Sequence, residues 1–259
     1  MDNNYYAPPN ADLEQEPAPG EKVLLPSNWG PMDVYQLAWA VIQKELGVWL
    51  AVAGVVFGTS LLQAMIGQVL TFGVSLLGAN MPADQQSVFG LLGSLASLGT
   101  SLIFWPINIW LAVGQARISL AAVRGEPITL GQLFSGLPWL LSALGGAILV
   151  GLGTFVGVLL LIAPGVIFAS GMLLFTLVVV DQNPGALSAI GQSWAISDGY
   201  KGRIFLSVFV AGLALFILTV CTCGLGGLLF IAAAPLFSVG LALIYESILS
   251  EKPHLRAGA

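Results

Sequence analysis

Long stretches of apolar residues dominate the chain and alternate with short polar turns. Residues 46–78 contain no charged side chain, and a second long stretch, 85–123, follows the polar break at 79–84. Four shorter stretches lie at 137–161, 166–180, 204–220 and 228–249. A helix of about 20 apolar residues crosses the hydrocarbon core of a bilayer. The pattern therefore predicts an all-α, polytopic integral membrane protein with six transmembrane helices in three hairpins.

A short amphipathic segment precedes each pair of spans. These segments lie at 32–45, 129–135 and 185–197, and their apolar residues recur at helical spacing. We expect each to form a helix in the membrane interface, with Thr129 as the cap of the second. The chain is thus interpreted as three repeats of a surface helix followed by a transmembrane hairpin.

Composition agrees with a membrane environment, because only 8% of the residues are charged while 57% are hydrophobic. Soluble domains have roughly 25% charged residues. Residues 1–30 combine acidic side chains with several prolines, and we expect them to form a disordered cytoplasmic tail. Residues 31–250 then form the six-helix membrane domain, and 251–259 form a second cytoplasmic tail.

The basic residues all fall on one side of this topology. They are Lys22, Lys44, Arg117, Arg124, Lys201, Arg203, Lys252 and Arg256. The turns 79–84, 162–165 and 221–227, on the other side, contain none. Because Lys and Arg are retained in the cytoplasm, we expect both termini to be cytoplasmic. The chain has no basic stripe that would indicate a nucleic-acid partner.

Several short motifs resemble a known group of bacterial proteins. They are Ile162-Ala163-Pro164-Gly165-Val166-Ile167, Asp181, the segment from Gly185 to Trp194, and Gly199. These residues resemble the six-helix YciC-like family and the membrane domain of some glycerophosphodiester phosphodiesterases. The resemblance covers 117–245 and implies a polytopic inner-membrane protein without an established activity. No phosphodiesterase-like soluble domain accompanies it, so no catalysis is inferred.

The sequence offers no catalytic, cofactor or metal constellation. Its one histidine, His254, lies in the polar C-terminal tail, so a Ser-His or Cys-His pair within the membrane is not available. Cys221 and Cys223 provide two soft ligands, too few for a metal site, and we read them as small residues at a helix end. Glu246, one turn from the end of the sixth span, is expected to face the interface.

The first hairpin contains four uncharged polar side chains that need partners in lipid, namely Gln63, Gln68, Asn108 and Gln115. Two interpretations remain open, a substrate path or a set of contacts between helices. The pairs Gly54/Gly58 and Gly153/Gly157 permit close approach of a second backbone, either within the chain or in a homo-oligomer.

A group of charged residues surrounds the third surface helix and consists of Asp181, Asp198, Lys201 and Arg203. It is either a docking patch for a cytoplasmic partner or anionic headgroups, or ordinary interfacial anchoring. We expect a non-enzymatic scaffold or accessory subunit of an envelope process, in contact with lipids and with other membrane proteins. The alternative is a transporter or lipid-handling permease whose path lies in the first hairpin.

Overall fold

Helices account for most of the described chain. The computed structural model describes residues 22–79, 81–160, 162–221 and 226–256. Within these ranges the helices are α1 (Pro31–Lys44), α2 (Leu46–Gly78), α3 (Ala83–Val123), α4 (Leu140–Leu160), α5 (Ile162–Met172), α6 (Phe175–Gln182), α7 (Ala186–Ser197), α8 (Lys201–Cys221) and α9 (Gly226–Glu251). A 3-10 segment, Leu130–Trp139, links α3 to α4, and a 3-10 turn, Pro253–Leu255, follows α9.

Six helical stretches of the described chain are long and apolar enough to cross a membrane. They are Leu46–Gly78, Gln85–Val123, Leu130–Leu160, Ala163–Gln182, Lys201–Cys221 and Ala233–Glu251. The predicted fold class is therefore confirmed. The predicted segments 32–45 and 185–197 are helical and correspond to α1 and α7. The predicted segment 129–135 lies in a 3-10 helix with Thr129 at its N-cap position, and this helix is continuous with the third span, Leu130–Leu160.

The fourth span differs from the predicted one. It consists of α5 and α6, which are separated by a turn at Leu173 and Leu174. Residues 162–165, predicted as the turn before this span, already belong to α5. Pro164 fits there because the first turn of a helix makes no use of the N–H group that proline lacks. The predicted turn at 221–227 lies largely outside the described residues.

Glycines bring α4 and α5 into backbone contact. A Cβ atom on Gly157 would lie 2.8 Å from the Cα of Gly165, and one on Gly153 would lie 2.7 Å from the Phe168 ring. The pair Gly153/Gly157 therefore serves packing within the chain. By contrast, a Cβ atom on Gly54 or Gly58 would meet no atom within 4 Å.

The packed core of the protein lies at one end of the bundle. It combines α1, the C-terminal parts of α3 and α9, α6, and the beginnings of α2 and α8. Large side chains that are fully buried there include Trp49, Ile118, Leu133, Leu174, Ile204 and Tyr245. The basic residues lie at the same end, which we call the base. The polar ties at the base include a hydrogen bond from the Tyr35 hydroxyl to the Ser207 carbonyl, at 3.0 Å.

The first hairpin extends away from this base. At 1.5 Å per residue, α2 is about 50 Å long and α8 about 32 Å. None of the residues 54–77 of α2 is buried, and Val69, Phe72 and Leu77 are each about two thirds exposed. We call residues 54–78 and 85–103 the distal arm. Its two helices pack on each other; Gly78, for example, lies against the side chain of Phe89.

Gly114 marks the closest approach of α3 to the 3-10 segment and gives a test of the packing at the base. A Cβ atom at this position would lie 1.8 Å from the carbonyl oxygen of Leu133. Overpacking of this kind costs about 1–3 kcal/mol. We therefore expect Gly114→Ala to lower the free energy of unfolding by that amount, measured by SDS titration in mixed micelles.

Gly99 on the same helix is the matched control, because a Cβ atom there would meet no atom within 4 Å. Gly99→Ala should be neutral or stabilising by up to about 1 kcal/mol, since alanine is the better helix former. Equal stabilities of the two variants would contradict the packing described for α3.

Candidate functional site: an ionic cluster at the base

One charged residue from each hairpin meets at the base. Arg124 follows the last residue of α3, Asp181 lies in the last turn of α6, and Glu246 lies near the end of α9. The Arg124 Nε atom donates to Oε1 of Glu246 at 2.6 Å. Its Nη2 atom donates to Oδ1 of Asp181 at 2.5 Å. A single guanidinium thus connects the ends of the three hairpins.

The two terminal segments add a cation each to the same carboxylate. Arg256 Nη2 lies 2.7 Å from Oε2 of Glu246, and Lys22 Nζ lies 3.6 Å from that atom. We call Lys22, Arg124, Asp181, Glu246 and Arg256 the ionic cluster. Within the cluster, three cations face two carboxylates, so the group as a whole carries a positive charge.

Glu246 is the most deeply buried member of the cluster. Its side chain is 1% exposed, compared with 11% for Asp181 and 21% for Arg124. A carboxylate removed from water costs several kcal/mol unless nearby cations and hydrogen bonds compensate. The cations around Glu246 supply that compensation. The expectation that Glu246 faces the interface is therefore wrong, because the helix end that carries it is covered by both terminal segments.

A hydrogen-bonded pair completes the environment of Asp181. The Tyr245 hydroxyl donates to Oδ2 of Asp181 at 2.9 Å. Gln182 Nε2 donates to the Tyr245 oxygen at 3.1 Å and lies 3.3 Å from the carbonyl oxygen of Leu255. Both carboxylate oxygens of Asp181 thus accept hydrogen bonds, one from Arg124 and one from Tyr245, and these bonds hold the side chain of Asp181 against α9.

Opposing influences act on the Arg124 guanidinium. Burial by itself lowers the pKa of Arg124 because it disfavours the charged form. Hydrogen bonds and charges from Asp181 and Glu246 outweigh burial and hold that pKa above its usual value. The charged form of Arg124 is therefore favoured in the folded protein.

Residues 22–30, predicted from the sequence to belong to a disordered tail, pack across the base. The Val23 N–H group donates to the Val123 carbonyl at 2.9 Å, and the Leu25 N–H group donates to the Ser247 hydroxyl at 2.8 Å. Trp29 is 2% exposed and stacks on Tyr200 with ring centroids 6.5 Å apart. We call residues 22–30 the strap. The remainder of the predicted tail, residues 1–21, lies outside the described residues.

The predicted docking patch separates into two environments. Asp181 belongs to the ionic cluster, whereas Asp198 pairs with Lys201 at 3.4 Å near the surface. Lys201 also lies 3.3 Å from the centre of the Trp194 ring. Arg203 donates to the Ser27 carbonyl at 3.3 Å and so contacts the strap. The structure thus brings Asp198 and Lys201 together but places Asp181 with other partners.

Two of the four polar side chains in the first hairpin contact each other. Asn108 Nδ2 donates to Oε1 of Gln63 at 3.0 Å, which ties α3 to α2. Gln68 is exposed, and Gln115 is half-buried within the base. An amide pair of this kind satisfies polar groups in lipid and holds two helices in register.

The described ranges contain no group of three or more His, Cys, Asp or Glu side chains that would hold a metal ion. Cys221 is exposed, while Cys223 lies outside the described residues. What the arrangement at the base offers is therefore ionic and hydrogen-bonding chemistry. No protein-family model, curated protein or solved structure matches this chain.

Replacement of Glu246 by glutamine tests the cluster. The amide keeps the shape of the side chain but leaves Lys22, Arg124 and Arg256 facing one carboxylate. Breaking a buried ion pair costs roughly 3–5 kcal/mol. We expect Glu246→Gln to lower the free energy of unfolding in mixed micelles by that amount.

The matched control is Glu126→Gln, because Glu126 is exposed in the turn after α3. This change should leave stability within about 0.5 kcal/mol of the parent protein. If both glutamine variants unfold alike, the cluster does not hold the base together.

Proposed function

We propose that the protein is a non-enzymatic scaffold or accessory subunit of an envelope process in the bacterial cytoplasmic membrane. In this proposal the base fixes the hairpins relative to one another, and the distal arm offers a lateral surface to a second membrane protein. The observation that carries the proposal is the uncovered length of α2, where none of the residues 54–77 is buried.

The composition of the distal arm supports contact with another helix. Residues 54–78 contain no charge, and Gly54 and Gly58 lie one helical turn apart with open space at each Cβ position. In lipid, small residues let a second backbone approach closely, which favours van der Waals contact between helices. The arm therefore suits either another membrane protein or a second copy of this chain.

A firm base gives such an arm a defined direction. The ionic cluster, the strap and the 3-10 turn after α9 all converge on the ends of α3, α6 and α9. A surface whose position is fixed before binding loses less freedom when a partner binds, so a preorganised arm binds more tightly than a loose one.

The polar groups of the first hairpin give the transporter alternative less support. Gln63 and Asn108 satisfy each other across α2 and α3. Gln68 is exposed on α2, in a stretch where no residue is buried. A path through the membrane needs walls on all sides, and an uncovered helix provides a wall on one side only.

The position of the charges supports an orientation with the base in the cytoplasm. Lys22, Arg124 and Arg256 meet in the ionic cluster, and Arg203 contacts the strap that begins at Lys22. The positive-inside tendency favours this end as the cytoplasmic one. The resemblance to YciC-like proteins of the bacterial inner membrane supports the same location.

Photo-crosslinking tests the distal arm. A photo-reactive phenylalanine analogue at Phe72, which is 65% exposed on α2, should form discrete protein adducts in intact membranes. The analogue at Phe216 is the control, because Phe216 is 66% exposed but lies on α8. We expect adducts of defined mass at Phe72 and only lipid adducts at Phe216, read by electrophoresis and mass spectrometry.

The same experiment distinguishes the partners. An adduct of twice the mass of the chain identifies a homo-oligomer, and any other defined mass identifies a different membrane protein. If Phe72 yields no protein adduct, or the same adducts as Phe216, the arm is not a contact surface and the scaffold proposal loses its basis.

Cysteine labelling tests the orientation. In a background with Cys221→Ser and Cys223→Ser, a membrane-impermeant maleimide should label Met81→Cys in intact cells. Glu126→Cys and His254→Cys, both at exposed positions of the base, should react only after the cells are permeabilised. The reverse pattern would place the base outside.

A further inference from the structure

We propose that Arg117, together with Ser135, Phe134 and Trp139, forms a binding site for the phosphate of an anionic phospholipid. The site lies on the outer surface of the base, where the last turns of α3 meet the 3-10 segment. It is separate from the ionic cluster and independent of the contacts proposed for the distal arm.

The charge of Arg117 is not neutralised within the described part of the chain. Arg124 and Arg256 form ion pairs with carboxylates, and Arg203 donates to a backbone carbonyl. Arg117 instead donates from Nη1 to the Ser135 hydroxyl at 2.9 Å. A guanidinium carries five N–H donors in a planar fork that matches the oxygens of a phosphate. Most of these donors therefore remain free for a ligand.

The surroundings hold the guanidinium in a fixed position. Its central carbon lies 5.3 Å from the centre of the Trp139 ring, a cation–π arrangement. Ser135 in turn donates to the Gln132 carbonyl at 2.6 Å, so the hydroxyl that contacts Arg117 is itself oriented. The cation is thus positioned in advance, and a phosphate binds it with little further ordering.

Exposed apolar side chains neighbour Ser135 and Trp139 along the chain. Phe134 is 43% exposed, Leu137 is 65% exposed and Leu141, in the first turn of α4, is 83% exposed. A phospholipid has a matching structure: its phosphate would contact the cation, and its acyl chains would contact the exposed apolar side chains. A free phosphate ion would use the cation but not the apolar surface.

The indole of Trp110 adds a donor beside the same surface. Its Nε1 atom is buried and has no hydrogen-bond partner among the described residues. An unsatisfied donor is costly, so an acceptor that reaches it is favoured. The ring centroids of Trp110 and Phe134 lie 5.8 Å apart, so this donor lies next to the exposed Phe134 side chain.

Thermal unfolding in detergent micelles tests the site. Phosphatidylglycerol should raise the unfolding temperature of the parent protein, while phosphatidylcholine with the same acyl chains should do so much less. A ligand that binds the folded state stabilises it according to its affinity, so a titration yields an apparent dissociation constant. Arg117→Gln should weaken this constant for phosphatidylglycerol about tenfold or more, as expected for the loss of a charge-assisted hydrogen bond.

Two variants keep the test decisive. Lys44→Gln removes one positive charge from an exposed position at the end of α1 and should retain the affinity of the parent protein. Ser135→Asp places a carboxylate beside Arg117 without removing a cation, so it should preserve the fold and yet weaken lipid binding as much as Arg117→Gln.

The outcomes separate the possibilities. Undiminished binding by Ser135→Asp, or an equal loss in Lys44→Gln, would overturn the proposal. If inorganic phosphate stabilises the protein as strongly as phosphatidylglycerol does, the site binds free anions and the lipid assignment is wrong. The scaffold proposal stands or falls separately, because it depends on crosslinks from Phe72.

Discussion

The carboxylate of Glu246 and the cations around it form the interaction on which the base depends. Burial of this group to 1% exposure would destabilise the fold if it stood alone. Arg124 and Arg256 approach it from different parts of the chain, and Arg124 is shared with Asp181. The need to compensate one buried charge therefore links three hairpins and both terminal segments. Because these partners share one buried carboxylate, we expect the base to unfold as a unit.

Exposed apolar side chains take the place of protein packing elsewhere in the molecule. Away from the base the helices present large apolar side chains outward, such as Leu159 on α4 and Phe216 on α8. Such surfaces would be unstable in water but match hydrocarbon. Several hydroxyl groups within them bond to their own helix; Thr59, for example, donates to the Val55 carbonyl at 2.9 Å. The molecule is thus divided into a packed base, which holds the charged cluster, and a remainder whose apolar side chains face outward.

The features that could be predicted are those that local sequence determines. Uncharged runs predicted the spans, amphipathic spacing predicted α1 and α7, and the pair Gly153/Gly157 predicted a close approach of helices. Each of these properties depends on residues within a few turns of one another. Of the four polar groups of the first hairpin, Gln63 and Asn108 contact each other across α2 and α3.

The ionic cluster could not be predicted in the same way. Arg124 and Glu246 are separated by 122 positions in the chain, so no local pattern joins them. Asp181 and Asp198 are near in sequence, whereas the partners of Asp181 are Arg124, at the end of α3, and Tyr245 on α9. One signal was present: Glu246 is an isolated acid within the long apolar run 226–250. A single charge in such an apolar run indicates a partner of opposite charge elsewhere in the chain, because an unpaired charge there would be costly.

The unequal lengths of the helices have a consequence for the surrounding bilayer. A bilayer whose thickness matches the shorter helices, about 32 Å long, is too thin for α2, which is about 50 Å long. The membrane can thicken around the first hairpin, or the hairpin can tilt, and each adjustment costs a fraction of a kcal/mol per Å of mismatch. The local thickness of the bilayer therefore affects the free energy of this protein in the membrane, and the protein would accumulate in thicker regions, where the mismatch is smaller.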